Sequence, residues 1–326
     1  MKKITVVAPS NVAFIKYWGR KDEVLRLPAN GSISMNLSSL LTTTTVEFSN
    51  KYKKDLIIFN GQIEKNKDNR VVEHLDRIRK IAGVKTFAKV VTENNFPTST
   101  GLSSSASGFA ALTLAGVKAL DLKLSEKERS ILARTGSGSA CRSIPDGFVE
   151  WLDGDINETS YAVSIFDENY WDIADIVAVV SVNKKDLATS EGHKLANTSP
   201  FFKTRLSLIN NKIKALKEAI KNKNFTQFGE IIEAEALEFH AILLTSNPSL
   251  IYWYPETLNV IKSVKKWREK GLEVYFTINT GQDVHIICQK KDVKKVNQLL
   301  KGIKEVKKTI INFPSKGAQV IAEHLF

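Results

Sequence analysis

The stretch PTSTGLSSSASGFAALTLAG (97–116) narrows the possible folds more than any other part of the chain. From Ser104 to Leu120 the residues are almost all Ala, Ser, Gly and Leu, a composition that predicts a small-residue helix packed closely against its neighbours. Gly101 lets the backbone turn sharply just before it, and Ser103, Ser104 and Ser105 follow. Backbone N–H groups and the positive end of the helix dipole then converge on one point, which suits a phosphate. The same pattern also fits a Gly/Ser loop that simply caps a helix. No Gly-Lys-Ser/Thr follows, so this is not a Walker loop.

The surrounding pattern mixes strands and helices. Segments 3–19, 42–49 and 54–61 are β-rich, and 70–84 is an amphipathic helix stopped by Gly83. Segment 87–96 reads as a strand, and 125–136 as a helix with Ser125 as its N-cap. Strands are expected at 147–154 and 175–183, then helices at 203–222, 225–245 and 255–270. A strand–turn–strand at 273–288 and a helix at 291–301 come near the end. The expected class is α+β with mixed sheets, in two lobes around a central cleft, divided as residues 1–182 and 183–326.

At 326 residues the chain can bury a large core. It carries a net charge of +12. Many of the lysines lie on amphipathic helices such as 203–224 and 290–306, with no nucleic-acid module around them. We therefore expect no nucleic-acid partner; a small phosphorylated substrate accounts for the charge equally well. No apolar run approaches the ~18 residues of a membrane helix, and no signal peptide is evident. Two distant cysteines, Cys141 and Cys288, fit a reduced, cytoplasmic setting.

Three further stretches carry chemistry. TGSGSACRS (135–143) offers Ser137, Gly138 and Ser139 as donors and Arg142 as a planar fork for a carboxylate or phosphate. NVAFIKYWGRKD (11–22) crowds Lys16, Tyr17 and Arg20 among apolar residues; a lysine buried there is expected to need an anionic partner. VYFTINTGQDVHII (274–287) reads as strand, turn and strand, with Asn279 at the lip of the turn. His240 fits a core or interface position. His74, His193, His285 and His324 have no metal-ligand spacing, so no structural metal is expected.

Taken together and in this order, these segments resemble the mevalonate diphosphate decarboxylases of the GHMP kinase superfamily. The resemblance spans nearly the whole chain and also includes LPANGSISMNL, GFVEW and LEFHA. It implies a two-lobed fold, usually homodimeric, in enzymes that phosphorylate the 3-hydroxyl of 5-diphosphomevalonate with ATP and then decarboxylate it. By that resemblance, Lys16 lies beside the reacting oxygen and Arg142 holds the substrate carboxylate. Tyr17, Arg20, Ser137, Gly138, Ser139 and Ser190 fall near the 5-phosphates, and Gly101 with Ser103 to Ser105 falls at the ATP phosphates.

The chain departs from this family in two places that bear on chemistry. The family's Asp-Ala-Gly-Pro-Asn turn reads Asn279-Thr280-Gly281-Gln282-Asp283, so the presumed base is an amide. An arginine that helps hold the diphosphate is replaced within Thr189-Ser190-Glu191-Gly192-His193. A lesser departure is Pro145-Asp146. A substrate already phosphorylated on its 3-oxygen needs no base. A carboxylate ~4 Å from that phosphate would repel it by about 4 kcal/mol at an effective dielectric of ~20. The leading expectation is therefore nucleotide-independent decarboxylation of mevalonate 3,5-bisphosphate to isopentenyl phosphate, with no cofactor. The alternative is an ATP- and magnesium-dependent decarboxylase of phosphomevalonate or diphosphomevalonate, with Asp283 as a displaced base at the substrate.

Overall fold

The computed structural model describes residues 2–64, 70–96, 101–181 and 189–326. The first half contains nine strands: β1 (Lys3–Ile15), β2 (Arg20–Asp22), β3 (Leu27–Pro28), β4 (Ser32–Phe48), β5 (Leu56–Phe59), β6 (Gln62–Ile63), β7 (Ala88–Asn94), β8 (Phe148–Trp151) and β9 (Ala162–Phe166). Helices α1 (Arg70–Ala82), α2 (Ser104–Ala119) and α3 (Glu126–Gly136) lie among them. The second half has β10 (Ile173–Val179), α4 (Thr189–Lys194), α5 (Phe202–Lys221), α6 (Phe225–Leu244) and α7 (Pro255–Glu269). It closes with β11 (Val274–Thr277), β12 (Val284–Gln289), α8 (Val293–Lys301), β13 (Lys308–Asn312) and β14 (Gln319–Ile321).

Two large sheets and the small β2–β3 pair organise these elements among the described residues, as the α+β expectation requires. The larger runs β14-β1-β4-β7-β5-β6, with β8 joined to the other half of β4 and β9 beyond it; only β5 and β7 pair in parallel. The smaller is the antiparallel order β11-β12-β10-β13. The expected lobe boundary falls within 182–188, outside the described residues. β10 already belongs to the second sheet, and β14 returns to the edge of the first.

Helix α2 packs on β1 and β4 and is buried along most of its length. Its small residues are what allow this: a Cβ on Gly116 would stand 2.7 Å from Ile78 of α1. Gly83 ends α1 with φ +67°, and Ser125 closes a complete capping box with Glu128 at the start of α3.

One strand is much longer than expected. β4 begins at Ser32, ten residues before the β-rich run read from sequence, because Ser32, Ser34 and Asn36 alternate with Ile33, Met35 and Leu37. Both faces of this strand are buried, one by apolar packing and one by polar partners. Alternation of serine with apolar residues is a strand signal only when something polar waits on the serine face.

Candidate active site

A cavity of about 360 Å³ lies where α2, the 137–143 segment, the end of β1, α4 and the 278–283 turn meet. Among the described residues five cations line it, Lys16, Arg20, Arg26, Arg70 and Arg142, and no Asp or Glu does. Of the expected site residues, Lys16, Tyr17, Arg20, Gly101, Ser103, Ser104, Ser105, Ser137, Gly138, Ser139, Arg142, Ser190 and Asn279 all line this cavity. Asp283 does not. It is buried, and its Oδ1 accepts the N–H of Val180 at 3.0 Å, so it ties the turn to the end of β10 and is not positioned at the cavity as a displaced base.

The Gly/Ser loop reaches the cavity through a tight crossing. Gly101 has φ +100°, and a Cβ there would stand 2.7 Å from the Cα of Gly281. Two glycine backbones thus pass in contact, which brings the 278–283 turn against the start of α2. Ser103 adopts a left-handed conformation with φ 57°, and its own side chain makes no capping hydrogen bond to the helix. The first-turn N–H groups of a 16-residue helix are thereby directed at a cavity lined by Ser103 to Ser105. Ser137 Oγ donates to Ser105 Oγ at 3.2 Å, which joins the second small-residue loop to the first. This donor set fits the phosphates of a nucleotide. Among the described residues no group of three or more His, Cys, Asp or Glu could hold a metal ion.

Arg142 is held by neutral oxygens throughout. Its Nε donates to Ser34 Oγ at 3.0 Å, Nη1 to Ser32 Oγ at 2.6 Å and Nη2 to Asn11 Oδ1 at 3.1 Å. Asn11 is oriented in turn by donating Nδ2 to Ser143 Oγ at 2.9 Å. The polar face of β4 therefore aims the guanidinium while leaving its charge uncompensated. The sequence reading assigned no role to Ser32, Ser34 or Asn11, although the period-two serines in SISMNL were the available signal.

Lys16 corrects an expectation. It is 2% exposed and was expected to have an anionic partner, yet its Nζ meets only neutral oxygens. Ala13 O lies at 2.5 Å, Thr277 Oγ1 at 2.8 Å and Asn279 Oδ1 at 3.1 Å. Burial, outweighing attraction from Glu235, lowers its pKa from 10.5 to about 7. Asn279 Oδ1 also faces the N–H of Ala13 at 3.4 Å; with two donors around it, that atom must be the amide oxygen.

The backbone of Lys16 is clamped from α5 and α6. Glu235 Oε1 accepts its N–H at 3.1 Å, while Asn30 Nδ2 and Arg205 Nη2 donate to its carbonyl, each at 2.8 Å. Glu235 is fully buried; Arg205 and Lys212 outweigh the upward push of burial and hold its carboxyl below the usual range. His240 stacks on Trp253 and its Nε2 donates to Asn279 O at 3.1 Å, which fixes the lip of the turn from behind. Burial first, then the charge of Lys16, pushes that imidazole down to about 3, so it stays neutral. His193 lies between the rings of Tyr17 and Trp18, with centroids 4.2 and 4.4 Å away, and accepts the N–H of Gly19.

Comparison with known proteins accords with this geometry. A model of the diphosphomevalonate decarboxylase-like N-terminal domain matches residues 8–162, and one of the mevalonate 5-diphosphate decarboxylase C-terminal domain matches 175–323. The chain belongs to the diphosphomevalonate decarboxylase family. The diphosphomevalonate decarboxylase of Candida albicans is 36% identical over 318 residues, covering 92% of this chain and 88% of the relative. The mevalonate diphosphate decarboxylase structure from Staphylococcus aureus superposes with a TM-score of 0.94 at 37% identity, covering 98% of both chains. A structure described as MDDEF in complex with MVAPP, AMPPCP and magnesium gives 0.92 at 38% identity, covering 98% of this chain and 99% of that one. No helix of the described residues is long and apolar enough to cross a membrane.

Proposed function

We propose that this chain decarboxylates 5-diphosphomevalonate after phosphorylating its 3-hydroxyl with ATP, the diphosphate branch of the ATP-dependent alternative that the sequence left open. The observation that carries it is the union of two donor sets in one cavity. The start of α2, with Gly101 and Ser103 to Ser105, opens onto the same space as Lys16 and Arg142. A decarboxylase that had abandoned nucleotide would have no use for the first set. The relatives' names supply the substrate, and a complex with a nucleotide analogue and magnesium is known for one of them.

In this reading Arg142, aimed by Ser32, Ser34 and Asn11, takes the substrate carboxylate. Its two Nη groups suit bidentate contact. Tyr17, Arg20, Ser137 to Ser139 and Ser190 receive the 5-phosphates. Arg26 and Arg70 add positive charge at the same cavity, offsetting the arginine that the 189–193 segment lacks. ATP supplies the γ-phosphoryl group, and magnesium would be held mainly by its phosphates, since among the described residues no carboxylate lines the cavity. Phosphoryl transfer through a loose transition state depends chiefly on positioning and positive charge. Loss of the phosphate is assisted by Lys16, and the electrons of the departing carboxylate form the double bond.

A second reading is favoured by one observation. Asn279 removes negative charge beside Lys16, which suits a substrate that arrives already phosphorylated at O3, as in mevalonate 3,5-bisphosphate. One experiment separates the two. The purified chain is given 5-diphosphomevalonate with magnesium and ATP, or mevalonate 3,5-bisphosphate in nucleotide-free buffer, and CO2 and ADP are measured. Equal CO2 and ADP from the first mixture, with none from the second, is expected. CO2 from the second alone would replace the proposal with the bisphosphate reading.

A further inference from the structure

Among the described residues no carboxylate lines the cavity, which leaves the proton of the reacting hydroxyl without an obvious acceptor. Asp283 faces the wrong way, and Glu235 is buried against Arg205 and the Lys16 backbone. His240 already donates its Nε2 hydrogen to a carbonyl. His193 lines the cavity, but its Nδ1 lone pair is taken by the N–H of Gly19. Among the described residues one nitrogen remains. We propose that Lys16, as a neutral amine, accepts the proton of the substrate 3-hydroxyl, and that the replacement of a carboxylate by Asn279 is what makes it able to do so. The inference rests on the ATP-dependent reading above, because a substrate phosphorylated beforehand has no such proton.

The geometry accommodates both charge states of the amine. As an ammonium, Nζ has three hydrogens for three acceptors: Ala13 O, Thr277 Oγ1 and Asn279 Oδ1. As a neutral amine it keeps two hydrogens for Ala13 O and Asn279 Oδ1, which can only accept, and turns its lone pair towards Thr277. Thr277 can donate to that lone pair, or it can turn to Ala13 O at 3.5 Å and release the lone pair to the cavity. None of the three partners is an anion, so nothing in direct contact holds the proton on. An Asp at 279 would pair with Lys16 and keep it charged, and the carboxylate would then have to be the base.

Charged groups face Lys16 from every side. Glu235 of α6 and Asp175 of β10 favour the ammonium, while Arg142 and Arg205 of α5 disfavour it; His240 of α6 is neutral. Together with burial they place the amine at about 7. The proton passes from O3 to Nζ as O3 bonds to the γ-phosphorus and the β–γ bridging P–O bond breaks, its electrons leaving on ADP. The C3–O3 bond then breaks with its electrons on the departing phosphate, which takes the proton back from Lys16. The C1–C2 pair becomes the C2=C3 double bond, and C1 leaves as CO2. Lys16 is thus neutral when a base is needed and charged when phosphate departs.

The test joins turnover to a direct view of the amine. Protein labelled with ¹³C at lysine Cε is titrated by NMR, with Lys16→Arg used to assign the resonance, and kcat/KM for 5-diphosphomevalonate with ATP is followed across pH. We expect one Cε resonance, missing from Lys16→Arg, to titrate near pH 7, and kcat/KM to rise with the same midpoint. In Asn279→Asp the resonance should stay charged beyond pH 9, and the rising limb of kcat/KM should move down by about two pH units or more. ATP-dependent turnover with a Lys16 that stays charged to pH 9 in the wild type would overturn the proposal alone. A rising limb unmoved by Asn279→Asp would do the same. Turnover of the 3,5-bisphosphate only would overturn the ATP reading and the base with it, while the titration still reports the charge on Lys16.

Discussion

Buried positive charge is used in two ways in this molecule. Along α5, α6 and α7, Arg205 lies 2.5 Å from Glu235, Lys212 contacts both Glu235 and Glu238, and Arg268 of α7 makes a forked pair with Glu233. Around the cavity, Arg142 meets two serines and an asparagine, and Lys16 meets a carbonyl, a hydroxyl and an amide. The first group is neutralised by the protein itself and holds helices together. The second is solvated by dipoles that orient the charge without cancelling it, so it stays available to an anionic ligand. Desolvation of that second group lowers stability, and the cost is retained because the uncancelled charge serves the substrate.

The contrast can be broken at several points. Lys16→Met should reduce kcat by about 10³-fold or more, the scale of a lost acid–base group, and the fold should survive. The same variant carries a pH signature. Lys16 titrates lower in the folded protein than its ordinary 10.5, so the unfolded chain binds more protons between about 7 and 10.5. Wild-type stability therefore rises with pH across that window. The stability gained by Lys16→Met should be greatest below pH 7 and fade towards pH 10, which melting curves of both proteins over pH will show. Arg142→Gln should lower kcat/KM by about 10²- to 10³-fold, comparable with losing one oriented donor to a developing charge, with stability in urea equal to or above that of wild type.

The paired cluster should respond in the opposite way. Glu235→Gln leaves Arg205 buried without its counterion and should cost about 3 kcal/mol or more of stability, measured by urea denaturation. Its loss also removes the largest attraction holding a proton on Lys16, so the rising limb of kcat/KM should shift to lower pH. Were the variant as stable as wild type, the division between structural and ligand-facing charge would fail. Ser125→Ala, far from both clusters, sharpens the baseline: loss of its capping box should cost about 1 kcal/mol with kcat unchanged.

Much of the site was legible because its residue types sit in compact stretches. Lys16, Arg142, the two small-residue loops and Asn279 could be picked out because glycines, serines and buried cations are unusual at those spacings. What supports them was not legible. Ser32 and Ser34 look like ordinary polar residues in a strand until Arg142 is placed beside them, and β4 was accordingly read ten residues too short. Thr277 and Glu235 reach Lys16 across 261 and 219 positions of chain. Asp283 was the displaced base of the alternative reading because it lies close to Asn279 in sequence, yet the turn directs it to the backbone of Val180.

The sequence by itself determined the mixed α+β class, the small-residue helix with its Gly/Ser entry, the cationic character of the site and the absence of a carboxylate at position 279. These are local matters of composition and spacing, decided by what each residue can do with its immediate neighbours. Whether Lys16 would be paired or unpaired, and so charged or poised near neutrality, was left to the tertiary structure. Its protonation depends on burial and on the dipoles and charges that α5, α6, β10 and β11 bring around one nitrogen, and that arrangement exists only once the two sheets have met.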